Sequence, residues 1–253
     1  MKIQYASDLH LEFWTNARFV SDNPLMPIGD ILILAGDIAC LNTENFMTHP
    51  FWDWASENYR QVLVVPGNHE FYHHYDLKSL QDGEICRIRE NVRYYYNAVV
   101  NIGGTDIILS TLWSKILPHN SNITERSVAD FRQIRYSGHK LYSRDFNAEH
   151  ERCLEFIKKS VAESVAKTKI VATHHVPSFL LESPDFKYGG INGAFTVELA
   201  DYIEANPIDY WIYGHSHRNI DKVIGKTRCV TNQLGYVEWG EHKDFKKDAY
   251  FVV

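Results

Sequence analysis

Residues 62–70 read Val62-Leu63-Val64-Val65-Pro66-Gly67-Asn68-His69-Glu70. A short run of aliphatic residues suits a strand buried on both faces. The glycine permits a tight turn with close backbone approach. Three polar side chains follow at the strand's carboxyl end. Alone, the segment is explained as well by a turn as by a site.

The same pattern recurs along the chain. Lys2–Ala6 runs into Ser7-Asp8-Leu9-His10, and Ile31–Ala35 runs into Gly36-Asp37. Ile107–Leu109 leads to Ser110-Thr111-Leu112-Trp113. Lys169–Ala172 leads to Thr173-His174-His175, and Tyr210–Tyr213 to Gly214-His215-Ser216-His217. Between these runs, Leu154, Ile157, Val161 and Val165 recur at three- and four-residue steps, which predicts a helix after Asn147. Further helices are expected over about 43–58, 77–89 and 196–204. Strands near 227–231 and 249–252 suggest a second or mixed sheet. Strands alternating with helices give an α/β architecture.

The chain has 253 residues, 45% apolar and 23% charged, an ordinary globular composition. It reads as a single domain over 1–253, with the patternless stretch 114–147 as a lid or insertion. The net charge of −6 disfavours a sequence-independent nucleic-acid binder, which needs a broad basic face. Four widely spaced cysteines (Cys40, Cys86, Cys153 and Cys229) form no Cys-x-x-Cys pair and read as reduced thiols. Met1-Lys2 leads directly into the first apolar run, and no apolar run approaches the ~18 residues of a membrane span. A cytoplasmic protein with no membrane partner is expected.

In open α/β sheets, ligands bind beyond the carboxyl ends of the strands. Those ends carry Asp8, His10, Asp37, Asn68, His69, His174, His215 and His217. Carboxylate, amide oxygen and imidazole without thiolate suit borderline divalent ions such as Mn, Fe, Zn, Ni or Co. Each pair alone has a plain structural reading as a cap, a turn or a core histidine. Their joint occurrence, each just after an apolar run, favours a site. His175 should point away from His174 in an extended segment, so His174 is preferred as ligand. The sequence leaves His69 open as a ligand. Glu70 reads as support for its turn or for a ligand. His73, His74, Asp30 and Cys40 read as structural, and His49, His119, His150 and His242 as solvated.

These motifs are Asp8-x-His10, Gly36-Asp37, Gly67-Asn68-His69-Glu70, His174 and Gly214-His215-x-His217. In that order they resemble the calcineurin-like metallophosphoesterase superfamily from Lys2 to about Val237. Thr111-Leu112-Trp113, His174–Ser178, Asn192-Gly193-Ala194-Phe195, and Thr231-Asn232 through Gly235-Tyr236 are similar to a compact bacterial branch of it. That branch often has Pro-Arg before Gly-Tyr; here Gln233-Leu234 stands instead, and an arginine suited to substrate is missing. The resemblance implies a four-layer α/β/β/α sandwich of two mixed sheets flanked by helices. It implies two divalent metal ions: one on Asp8, His10 and His217, the other on Asn68, His174 and His215, with Asp37 bridging both. It further implies hydrolysis of a phosphodiester or phosphomonoester by in-line attack of a bridging hydroxide, with His69 as general acid.

Residues 126–144 hold Arg126, Arg132, Arg135, Lys140 and Arg144 against Asp130 alone, with Phe131, Tyr136 and Tyr142 interleaved. This predicts a lid whose Arg132, Arg135 and Tyr136 meet a small phosphorylated substrate; the plain alternative is a solvated surface loop. A nuclease and a non-catalytic metal-binding scaffold are the competing functions. Charge disfavours the first, and the complete set of motif residues disfavours the second.

Overall fold

A computed structural model describes residues 1–182 and 190–253. In chain order the elements are β1 (Lys2–Ala6), α1 (Trp14–Asp22), β2 (Ile31–Ala35), α2 (Pro50–Asn58), β3 (Gln61–Val65), β4 (Gly83–Arg89) and β5 (Val92–Tyr96). Next come β6 (Ala98–Ile102), β7 (Thr105–Leu109), α3 (Ser121–Ser127), α4 (Asp130–Gln133), β8 (Arg135–Tyr136), β9 (His139–Lys140) and α5 (Ser143–Glu163). The chain continues through β10 (Thr168–Ala172), α6 (Ala200–Ala205), β11 (Tyr210–Ile212), β12 (Lys222–Ile224), β13 (Thr227–Val230) and β14 (Tyr250–Val252).

Two six-stranded sheets result, ordered β14-β1-β2-β3-β5-β4 and β12-β13-β11-β10-β7-β6. In each, a parallel centre (β1, β2, β3, β5; β13, β11, β10, β7) carries antiparallel strands at both edges. β2 is apolar throughout and β3 in its last four residues, because both faces are covered. One face, with Ile3, Ile31, Ile33 and Leu63, packs against Ile107, Leu109, Ile170 and Ile212 of the other sheet. The opposite face, with Leu32, Leu34, Val62 and Val64, receives Phe51, Trp52 and Ala55 of α2. Across the molecule, Leu154, Ile157 and Val161 of α5 cover Ile108, Val171 and Trp211. The layers are therefore helix, sheet, sheet, helix, as the resemblance implies. No helix among the described residues is long and apolar enough to cross a membrane.

Three helix expectations need correction. Residues 77–89 form a single 3-10 turn at Leu77–Ser79 and then strand β4. Two register shifts against β5, between Glu84 and Cys86 and between Arg87 and Arg89, break the alternation of two that marks a strand. In 43–58 only Pro50–Asn58 is helical, with Pro50 in its first turn and His49 Nδ1 accepting the Phe51 N–H at 3.2 Å. In 196–204 the helix starts at Ala200, because Val197 and Leu199 donate backbone hydrogen bonds to Val176 and Pro177 instead. α5 begins earlier than expected, at Ser143, where Asp145 accepts the Tyr142 N–H at 3.1 Å.

The 114–147 stretch contains α3, α4 and the β8–β9 hairpin. Its Ile116, Phe131, Ile134, Leu141 and Phe146 join Phe71, Tyr96 and Trp113 in a buried cluster. The segment is fixed to the body by that apolar contact.

Candidate active site

The carboxyl ends of β1, β2, β3, β10 and β11 bring Asp8, His10, Asp37, Asn68, His69, His174, His215 and His217 together. Asp8, His10 and His174 are fully buried, and Asp37 is 2% exposed. Glycines make this convergence possible. A Cβ on Gly36 would lie 2.3 Å from His174 Nδ1, and one on Gly67 would lie 2.2 Å from Asp37 Oδ1. A Cβ on Gly214 would lie 2.7 Å from Asp8 Oδ2. Each motif glycine is thus the floor under a polar group from another strand end.

The backbone at these ends is unusual. Asp8, His10, Asp37, His215 and His217 adopt φ of 55°, 48°, 54°, 74° and 49°. Such left-handed residues cost energy and concentrate at functional sites. Here they turn the side chains inward immediately after each strand.

Imidazole nitrogens face one another in two pairs. His10 Nε2 and His217 Nε2 are 3.0 Å apart, and His174 Nε2 and His215 Nδ1 are 3.1 Å apart. The remaining nitrogen of each ring already meets an acceptor: Glu12 for His10, Glu241 for His217, the Ala35 carbonyl for His174 and the Ala194 carbonyl for His215. Those outer contacts orient the rings so that the inner nitrogens of each pair face one another. Such a convergence of ring nitrogens with carboxylates is one that could hold a cation. Asp37 stands between the pairs, with Oδ1 3.3 Å from His174 Nε2 and Oδ2 3.9 Å from His10 Nε2. Asn68 Oδ1 is 3.1 Å from His174 Nε2, and Asp8 Oδ1 is 3.3 Å from His217 Nε2. The donor chemistry fits divalent ions, with Asp8, His10 and His217 forming one group of ligand atoms and Asp37, His174 and His215 another.

His69 belongs to the same cluster. Its backbone N–H donates to Asp37 Oδ1 at 2.9 Å, and its Nδ1 meets Glu12 Oε1 at 2.8 Å. Nε2 lies 3.4 Å from the Tyr236 hydroxyl and 4.0 Å from Asp37 Oδ2. Burial lowers the affinity of this ring for a proton, but Asp37 and Glu12 outweigh it and raise the pKa above the ordinary imidazole value. Glu70 lies beneath: its carboxylate accepts the backbone N–H groups of Asp37, Ile38 and Gly67 at 2.9, 2.8 and 2.7 Å, and the Tyr94 hydroxyl at 3.1 Å.

A family model for calcineurin-like phosphoesterases matches residues 1–219. The chain belongs to this family. It is 29% identical over 275 residues to an uncharacterized protein of Acanthamoeba polyphaga mimivirus, covering 99% of this chain and 96% of that one. In fold it is similar to phosphopantetheinyl hydrolase from Mycobacterium tuberculosis, with a TM-score of 0.71 at 20% identity over 99% of this chain and 95% of that one. A dimetal phosphatase from Danio rerio is similar with a TM-score of 0.52 at 10% identity, over 92% of this chain and 87% of that one.

In this calcineurin-like phosphoesterase, the cluster forms the floor of a cavity of about 600 Å³. Phe195 lies along His215, stacked at 4.9 Å, and Tyr236 along His10 at 4.7 Å. From the 114–147 segment the cavity takes Ser127, Val128, Ala129 and Asp130. Arg132, Arg135 and Tyr136, expected to meet substrate, are not among its described lining residues. Arg132 is exposed and donates to the Arg126 carbonyl at 2.8 Å; Arg135 and Tyr136 form β8, where Lys78 stands over the Tyr136 ring. The reason is apolar anchoring: Phe131 and Ile134 go into the core, and the helical turn between them carries Arg132 outward.

Gln233 and Leu234, at the Pro-Arg position, are both buried; Gln233 donates to the Arg218 carbonyl at 2.9 Å. His175 turns from His174 into a packed group with Trp113, Phe146 and His215. His150, expected to be solvated, is 1% exposed, with Nδ1 3.2 Å from the carbonyls of Leu112 and Trp113. Sequence reasoning missed Glu12, Asp130, Tyr72 and Glu241. Glu12 had a signal, since Asp8, His10 and Glu12 alternate, whereas Asp130 and Glu241 arrive from distant segments.

Proposed function

We propose that this chain hydrolyses a phosphoester, using two divalent ions. Asp8, His10 and His217 would hold one ion, Asn68, His174 and His215 the other, with Asp37 shared. The observation that carries this reading is the convergence of ligand atoms in two groups, Asp8, His10 and His217 in one and Asp37, His174 and His215 in the other, with the atoms of each group within 4.8 Å of one another. When bound, such ions neutralise phosphate charge and lower the pKa of water. Mn, Fe, Zn, Ni and Co all suit the donor set.

The protein's own groups do the rest. Asn68 presents its amide oxygen inward because its Nδ2 donates to Asp130 Oδ1 at 2.9 Å. Glu12 accepts from His69 Nδ1 and fixes the ring so that Nε2 faces the cavity. A proton at His69 Nε2 is placed to pass to the departing ester oxygen. The substrate is a small phosphorylated molecule. The four cysteines, all unpaired, suit the cytoplasmic setting proposed here.

The test is metal analysis of the purified protein together with hydrolysis of bis(p-nitrophenyl) phosphate and p-nitrophenyl phosphate. A phosphopantetheinyl conjugate belongs in the panel because of the Mycobacterium tuberculosis relative in fold. The expected result is two ions per chain and turnover of at least one ester, both reduced in Asp37→Asn. Metal-loaded protein inert to every ester overturns the reading in favour of a scaffold.

A further inference from the structure

The charge of the cavity walls is opposite to what the basic stretch above it suggests. No Lys or Arg is among the described residues lining the cavity, although 126–144 holds four Arg and one Lys. That stretch contributes its one acid, Asp130, whose backbone neighbours Val128 and Ala129 also line the wall. Asp130 is fully buried, and its Oδ1 accepts from Asn68 and from the Tyr72 hydroxyl at 2.8 Å. Around it the described walls carry apolar and aromatic groups, Val128, Ile191, Phe195, Tyr236 and, at the rim, Trp239, which is 72% exposed, beside the acids Glu182 and Glu241 and the polar Asn192 and Thr196. Tyr236 and Trp239 meet edge to face at 4.8 Å, making a corner into which a flat group fits. The buried Gln233 and Leu234 bring no cation from below.

We propose that the cavity selects phosphoesters whose leaving group is uncharged and apolar or aromatic, and rejects those carrying a second anionic group. This rests on the phosphoesterase reading above and adds the substrate class to it. Among the described residues, the groups that could hold cations lie at the floor, where bound ions would neutralise one phosphate. A second phosphate or carboxylate against the described walls meets Asp130, Glu182 and Glu241, and loses water to aromatic rings. Nucleoside polyphosphates and nucleic-acid strands are therefore poor occupants. An uncharged ring exchanges water for Phe195, Tyr236 and Trp239.

Two non-hydrolysable probes test this by calorimetry on the metal-loaded protein: phenylphosphonate and 4-carboxyphenylphosphonate. The neutral-tailed probe is expected to bind at least about tenfold more tightly, the direction set by like-charge repulsion and desolvation. Ser127→Lys, at an exposed wall position, should narrow that ratio at least about fivefold by adding a cation to the described wall. Trp239→Ala is the second variant, and it should weaken phenylphosphonate by at least about threefold through loss of the aromatic wall. Equal or tighter binding of the carboxylated probe by the parent overturns the selectivity proposal and leaves the phosphoesterase reading intact. Failure of both probes to bind overturns the phosphoesterase reading itself.

Discussion

Asp130 Oδ1 accepts the amide Nδ2 of Asn68 at 2.9 Å, and so decides which end of that amide faces His174. The amide ends are sterically alike but chemically opposite: one is an acceptor that can hold a cation, the other a donor that repels it. The only acid in the 126–144 stretch therefore reaches the proposed ion site through one intermediate side chain. Asp130→Ala should lower affinity for the ion next to Asn68 by roughly 10–100-fold, the usual effect of removing a ligand's outer partner. Asp130→Asn keeps an acceptor oxygen and should recover most of it. Competition with a chelating dye reads both, and unchanged affinity in Asp130→Ala would remove Asp130 from this role.

Glu70 ties two strand-end loops together through one carboxylate. Four backbone N–H groups, those of Asp37, Ile38, Ala39 and Gly67, and the Tyr94 hydroxyl converge on it, so an amide in its place puts N–H against N–H. Glu70→Gln should destabilise the fold by about 1–3 kcal/mol, the penalty of unsatisfied buried groups. It should also loosen metal binding, because Asp37 and Gly67 are what it holds. Denaturant unfolding and metal content check the two effects. A variant as stable as the parent would mean that the loops hold themselves.

The strand ends were legible because buried parallel strands leave uninterrupted aliphatic runs, and the glycines and polar residues after them have nowhere to go but the shared edge. Asp8, His10, Asp37, Asn68, His174, His215 and His217 all lie in such places. β4 was not legible, because two bulges move its apolar residues out of the alternation that a strand shows. Nor was the facing of 126–144. Local charge favoured Arg132 and Arg135, while the direction of the segment is set by Phe131 and Ile134 packing against residues far away in sequence.

Arg132 and Arg135 are not among the described residues lining the cavity. Arg132→Ala and Arg135→Ala should leave metal content and kcat/KM within about twofold of the parent, as expected for surface changes away from reacting groups. Steady-state kinetics on the diester and monoester check this. A rise in KM of an order of magnitude in either variant would place the segment over the substrate after all.

His150 carries a pH dependence of stability unconnected with the ions. Burial pushes its pKa below the ordinary imidazole value of 6.5, and the Leu112 and Trp113 carbonyls offset this only in part. The folded state therefore holds the neutral ring while the unfolded chain takes a proton. Its stabilising contribution is complete above pH 6.5 and is lost as pH falls from there through the depressed folded value. His150→Gln should be less stable at pH 8 through its altered packing, yet lose less on going to about pH 5 than the parent does. Thermal melts of both proteins across that range give the comparison. Parallel pH curves would show that His150 contributes nothing to acid sensitivity.

His69 divides the proposed chemistry from metal binding. Its backbone N–H is committed to Asp37 and its Nδ1 to Glu12, which leaves Nε2 as the one ring atom directed at the cavity. A proton there helps a poor leaving group such as an alkoxide far more than a nitrophenolate, which departs without assistance. General acid catalysis is typically worth about 10²–10⁴-fold. His69→Asn should therefore keep both ions and lose activity on alkyl phosphoesters by about that factor, with a much smaller loss on nitrophenyl esters. Metal content and kcat/KM on the two ester classes decide among the roles. Equal losses on both classes would make His69 a phosphate-positioning group. Loss of an ion would instead make its Nε2, 4.0 Å from Asp37 Oδ2, a ligand beside His10.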